Sequence, residues 1–176
     1  MLTKNAKKLL LYYLMNSSQT STSNPTPATG GFSLTNIDGS DKTAYPTDSS
    51  VFSLINSFNH MATALTTNSI TFIRCGTGTT PATEDDYKLE SYVTGLTNDS
   101  VVTAVSGRVS KKTYTATFSN TTGADITVTE IGFFTNCYYN SATQNDNFLL
   151  DRIVLETPIT IPAGESKAIT YELGFN

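Results

Sequence analysis

Residues 113–135 read TYTATFSNTTGADITVTEIGFFT, and this stretch decides the fold class. Tyr114, Ala116 and Phe118 alternate with Thr113, Thr115 and Thr117. That period of two belongs to a strand with one buried face. Ser119, Asn120, Thr121, Thr122 and Gly123 supply turn chemistry. Ile126 and Val128 then restart the alternation, so the stretch is expected to fold as one hairpin. Past Glu130 the apolar parity shifts to Ile131 and Phe133, with Phe134 beside them, and a bend or bulge is expected at Gly132.

Working outward, strands are expected at 32–37, 70–75, 101–109, 148–156 and 159–161, and along the alternating Ile169, Tyr171, Leu173 and Phe175. Gly107 is a candidate bulge within 101–109. Turns are marked by Asp38-Gly39, by Tyr45-Pro46 and by Pro162-Ala163-Gly164, the last with proline at its second position. A loop is expected over 136–147. Two helices stand out. One spans 2–15, with Leu2, Ala6, Leu9, Leu10 and Tyr13 on one side and lysines on the other. The second covers 51–65, where Val51, Leu54, Ile55, Phe58, Ala62 and Leu65 recur at helical spacing. A one-turn helix is expected around 84–89. The resulting expectation is an all-β chain, an antiparallel, jelly-roll-like β-sandwich with an N-terminal helix on a linker and one further helix. Residues 1–31 would form an arm, ending in a Ser/Thr/Pro-rich linker, and 32–176 the sandwich domain.

The chain has 176 residues, of which 38% are hydrophobic and 15% charged. What remains is largely Thr, Ser and Asn, and threonine suits exposed strand faces. With a net charge of −4 and only 11 Lys and Arg, the chain lacks the basic patch that nucleic acid demands. Lys4, Lys7 and Lys8 form the one basic cluster, expected as a solvated helix face. Leu9 to Met15 is far shorter than the ~20 apolar residues of a membrane span. Lysines before an apolar run also suggest a signal peptide, but the run holds two tyrosines and no small-residue cleavage site follows. Cys75 and Cys137 are expected as free, half-buried thiols, with a single disulfide the alternative.

No catalytic constellation is legible, and neither a cofactor nor a metal is expected. Gly76-Thr77-Gly78 follows a strand but lacks the third glycine or the Gly-Lys-Ser/Thr of phosphate loops. Glu84, Asp85 and Asp86 lack the alternation of a calcium loop and fit the first turn of a short helix. His60 is the lone histidine, mid-helix beside Met61. Glu130, Asp151 and Glu156 lie on expected strands, but nothing selects a hydrolytic pair. An ion pair of Glu130 or Asp151 with Arg152 is the simpler reading. Phe133, Phe134, Tyr138 and Tyr139 cluster near one loop, where exposed aromatics stack on sugars or anchor an interface.

Residues 70–90, ITFIRCGTGTTPATEDDYKLE, resemble a segment of structural proteins of tailed bacteriophage virions. In that segment a strand leads into Gly-Thr-Gly, a Pro/Thr-rich loop and an Asp-Tyr-x-Leu-Glu turn. Here these are Gly76, Thr77, Gly78, Pro81, Asp86, Tyr87, Leu89 and Glu90. Two further blocks resemble the same group in order: residues 127–134, TVTEIGFF, and Leu149-Leu150-Asp151-Arg152 followed by 159–171, ITIPAGESKAITY. The resemblance covers roughly the last hundred residues. It implies a non-enzymatic β-sandwich assembled in the host bacterial cytoplasm into a virion, as head decoration, head fibre, neck or tail component. Its partners would be capsid, portal, neck or tail proteins and further copies of itself, with no nucleic acid or membrane. The arm adds a docking element, with Leu2, Leu9, Leu10 and Leu14 expected to face a neighbouring subunit. The alternative is a receptor- or glycan-binding module of a fibre, using Phe133, Tyr138 and Tyr139.

Overall fold

The structure, a computed structural model, describes residues 1–16, 32–44, 71–105, 111–139 and 144–174. Among these residues one helix, α1 (Lys4–Asn16), precedes eight strands. They are β1 (Phe32–Thr35), β2 (Asp41–Ala44), β3 (Thr71–Gly76), β4 (Leu96–Val105), β5 (Lys111–Asn120), β6 (Ile126–Tyr139), β7 (Gln144–Ile161) and β8 (Ser166–Gly174). Apart from the short helix, the described residues make an all-β fold. One sheet has the order β1-β2-β6-β3, with β7 also paired to β6, and the other has the order β4-β5-β8. The pairs β1–β2, β2–β6, β4–β5 and β5–β8 are antiparallel.

This topology corrects the hairpin expected over 113–135. Its two arms are β5 and β6, but they lie in different sheets. Residues 121–125 therefore form an arch from one sheet to the other. The alternation in β5 is real: Tyr114, Ala116 and Phe118 are buried. Their partners come from the C-terminus, with Tyr114 opposite Tyr171 and Ala116 opposite Ile169, both of which are also buried. On the other face Thr115 and Thr170 share a hydroxyl hydrogen bond of 3.1 Å, and Ser119 and Ser166 one of 2.6 Å. Side-chain pairs on both faces thus fix the β5–β8 register.

Asn120 holds the arch. Its side-chain amide donates to the carbonyls of Ala124 at 2.8 Å and Ile161 at 2.9 Å. Its side-chain oxygen accepts from the Thr122 N–H at 2.9 Å and the Thr122 hydroxyl at 2.7 Å. Its backbone exchanges bonds with the turn before β8, donating to Glu165 O and accepting from Gly164 N. Asn120 is buried, so Asn120→Ala strands several polar groups at once. We expect a loss of about 3 kcal/mol, read as a lower urea midpoint at unchanged slope. An unmoved midpoint would show that the arch does not depend on it.

β6 runs through Gly132 as one element, and every residue from Glu130 to Thr135 is buried. The parity shift marks the point where an interior strand becomes covered on both faces, which produces an almost continuous apolar run. β7 is likewise a single strand through Pro158, where two were expected. Since β6 reaches Tyr139 and β7 begins at Gln144, most of the expected 136–147 loop is strand. β4 begins at Leu96 and carries a register shift between Asn98 and Ser100. The 84–89 segment is a turn at Glu84 and Asp85, not a helix. In the last turn Glu165 N bonds Pro162 O at 3.1 Å, which puts proline first rather than second. The 51–65 helix, His60, the Tyr45-Pro46 turn, Gly107 and the linker from residue 17 to 31 lie outside the described residues.

The chain divides into two compact units. Unit 1 comprises Met1–Thr71, Ala82–Lys88 and Phe133–Arg152, and unit 2 comprises Phe72–Pro81, Leu89–Gly132 and Ile153–Asn176. The expected division into an arm at 1–31 and a domain at 32–176 differs from this. The start of the chain belongs to unit 1 because it is bonded into it, as described next.

Candidate functional site

In unit 1, residues 1–3 run beside β7. Leu2 bridges Asp151 in antiparallel fashion. Thr3 N donates to Leu150 O at 3.0 Å. The chain's α-amino group meets the Asp151 carboxylate at 2.6 Å and the Arg152 carbonyl at 2.9 Å. Thr3 ends this segment and caps α1. Its hydroxyl donates to Leu149 O at 2.8 Å and accepts from Ala6 N at 3.3 Å, satisfying a first-turn N–H. Asn5 then clamps β1 in both directions, donating to Thr35 O at 2.7 Å and accepting from Thr35 N at 2.9 Å. Ala6 and Leu9 are buried.

The lysines of α1 sit at its N-terminal end, where the helix dipole disfavours cations. The acidic triplet offsets this. Lys4 pairs with Asp85, Lys7 pairs with Glu84, and the Lys4 N–H donates to Glu84 O at 2.8 Å. Lys8 donates to Ser33 O at 2.9 Å. The hydrogen bond and charge of Asp85 raise the Lys4 pKa above its ordinary value, and those of Lys7 lower that of Glu84. The third carboxylate, Asp86, takes Arg152 at 2.9 Å, with the Arg152 side chain only 3% exposed. The Arg152 guanidinium thus has a partner that the sequence did not suggest, Asp86. The triplet is a clasp for α1 and Arg152, and the basic cluster is its other half rather than a merely solvated face.

In unit 2, Glu130 is 0% exposed. Its Oε1 accepts from Gly78 N at 3.0 Å and Ser91 N at 2.8 Å, and its Oε2 from Glu90 N at 3.1 Å. The Thr129 hydroxyl adds a bond to Gly78 O at 2.9 Å. Glu90 in turn holds the Thr80 N–H at 2.8 Å and the Thr80 hydroxyl at 2.7 Å. The Gly-Thr-Gly stretch is therefore folded around a carboxylate of its own chain. Its glycines are needed for close approach: a Cβ on Gly78 would lie 2.6 Å from Glu130 Oε1, and one on Gly76 would lie 2.6 Å from Ser91 O. Among the described residues no group of three or more His, Cys, Asp and Glu is arranged to hold a metal ion.

The residues singled out from sequence fall as follows. Leu9 is buried in its own chain at 5% exposure and so does not face a neighbour, and Leu2 is half-buried beside β7. Leu10 and Leu14 lie on α1, with side chains outside the described set. Phe133 is 1% exposed and belongs to the core of β6, which removes it from any surface site. Tyr138 and Tyr139 close β6, their side chains again outside the described set. Cys75 is a free thiol, and burial pushes its pKa up to about 12, so it is unreactive at neutral pH. Sequence reasoning missed Thr3 and Asn5. The signal for Thr3 was present, a threonine immediately before an amphipathic run.

Compared with protein-family models, with curated proteins and with solved structures, the chain matches none.

Proposed function

We propose that this chain is a non-enzymatic structural component of a bacteriophage virion, self-associating and docking to a neighbouring virion protein. One observation carries the reading. The three blocks that resemble virion proteins are the segments this fold ties together. Glu130 of the second block is bonded to Gly78 and Glu90 of the first. Asp86 of the first block is paired with Arg152 of the third. The resemblance thus includes residues that interlock physically, as a shared fold requires.

The docking role of the arm takes a narrower form. Thr3, Asn5, Ala6 and Leu9 are buried within their own chain, so the docking contact falls to other residues of the arm. Deleting residues 1–31 would also remove Thr3 and Asn5 from unit 1, so a deletion would confuse misfolding with lost docking. The test is instead addition of the purified full chain to particles of its phage assembled without it. Co-sedimentation that saturates at a fixed copy number is expected. Free chain remaining at the top of the gradient would sink the proposal.

A further inference from the structure

We propose that β8 is the edge through which two copies of this chain associate, each laying its Ser166–Gly174 strand antiparallel against the other's. The inference rests on the reading above of a self-associating virion protein, and it names the contact. β8 ends the sheet order β4-β5-β8. It pairs with β5 along its whole length, from Ser166 to Gly174, without a register shift. Ser166, Lys167, Ala168, Thr170 and Glu172 are exposed, while Thr113, Thr115, Thr117 and Ser119 on β5 are half-buried. That contrast separates a strand flanked on one side from a strand flanked on both. An edge strand offers backbone N–H and C=O groups to another strand, and folds blunt such edges with a bulge, a proline or a lysine. The opposite end of this sheet is blunted, since β4 carries a register shift between Asn98 and Ser100. β8 has no shift and no proline, and its lysine, Lys167, turns to its own chain and donates to Thr160 O at 3.4 Å.

The occupant that fits is a second β8. A twofold axis normal to the sheet makes the two strands antiparallel and keeps their buried faces on one side, so residues of like parity lie opposite each other. With the axis at Thr170, Ala168 faces Glu172 of the second copy, Ile169 faces Tyr171 and Lys167 faces Leu173. Buried positions then meet buried ones, exposed meet exposed, and no like charges are opposed. The hydroxyl rung that Thr115 and Thr170 form at 3.1 Å continues into the second copy's Thr170. Two three-stranded sheets become one continuous sheet, in the order β4-β5-β8-β8-β5-β4. One strand edge offers less than the ~800 Å² per partner of a standard stable interface. The contact is therefore weak between free chains and becomes effective where copies are crowded, as on a particle surface.

Sedimentation velocity of the full chain over a wide concentration range tests this, with wild type beside Thr170→Lys and Thr170→Glu. Wild type should shift toward dimer as concentration rises. In either variant two like charges meet on the axis, and association should weaken about fivefold or more. An equimolar mixture of the two variants should recover the dimer, because unlike charges then meet. Misfolding of either variant would not give that recovery. Both should keep a urea midpoint close to wild type, since Thr170 is exposed. A wild type monomeric at every concentration, a variant that associates as tightly as wild type, or a mixture no tighter than its components overturns the inference. Detection in purified particles separates it from the virion reading. A chain that is monomeric yet present in particles ends the interface alone, and one that associates yet is absent from particles ends the virion reading alone.

Discussion

Replacing Glu130 with glutamine is expected to destabilise the protein by about 2 kcal/mol, and with alanine by about 4 kcal/mol. The gradation follows from the three backbone N–H groups the carboxylate receives. Oε1 takes Gly78 and Ser91, and Oε2 takes Glu90. Glutamine can keep its oxygen toward the first two, but its NH₂ then opposes the Glu90 N–H, donor against donor. Alanine abandons all three donors and opens a cavity at a fully buried position. Hydrogen bonds to a charged acceptor are each worth more than neutral ones, so Glu130→Asp, with a shorter reach, should also fall well below wild type. Urea unfolding of the four proteins is the measurement. Equal midpoints for Glu130→Gln and wild type would mean that the loop from Gly76 to Gly78 stands without the carboxylate.

The second large effect is expected at Asp86. Its partner Arg152 is buried, and removing one member of such a pair takes an ion pair away from a buried charge. Asp86→Ala should cost about 3 kcal/mol. Replacing both, as Asp86→Leu with Arg152→Met, should recover most of that loss, because the desolvation of both ions is removed with their attraction. A double-mutant cycle reads the coupling directly, and additive single and double effects would contradict it. The pair also sets a pH signature. Burial alone would raise the Asp86 carboxyl, but the Thr83 N–H and hydroxyl and the Arg152 guanidinium outweigh it and hold the pKa below the ordinary 3.8. A depressed folded value means the contribution is whole above 3.8 and is lost as pH falls through the folded value. Lys4 works the other way. Its raised pKa makes its contribution whole below the ordinary 10.5 and lost at higher pH. Asp86→Ala should therefore lie closest to wild type in acid, and a constant difference across that range would refute the linkage.

What the sequence disclosed depended on distance along the chain. The strand faces of β5 and β8 were legible because Tyr114, Ala116 and Phe118, like Ile169 and Tyr171, alternate within a few residues. Their pairing with each other was not. The turn chemistry of residues 119–123 is compatible with a hairpin and with an arch alike, and the choice was made by β8, some fifty residues later. β2 escaped notice because Asp-Lys-Thr-Ala has four residues and no large apolar one. Strands at 148–156 and 159–161 were expected as separate, yet β7 continues through Pro158, which donates no ladder bond. At the clasp, both halves were visible as an acidic triplet and a basic cluster. Their meeting was not, because residues about eighty positions apart share no local pattern. Glu130 drew attention as a carboxylate inside an apolar strand. Only the loop returning over it shows that it accepts from the backbone N–H groups of Gly78, Glu90 and Ser91.

In these features Glu84, Asp85, Asp86 and Glu130 hold the chain's own helix, Arg152 and loops. The most direct test of this account is quantitative mass spectrometry of density-gradient-purified virions. The account predicts this chain at a constant ratio to the major capsid protein across the particle peak and through a salt wash. A chain confined to the soluble fraction, or one whose ratio drifts across the peak, would contradict it.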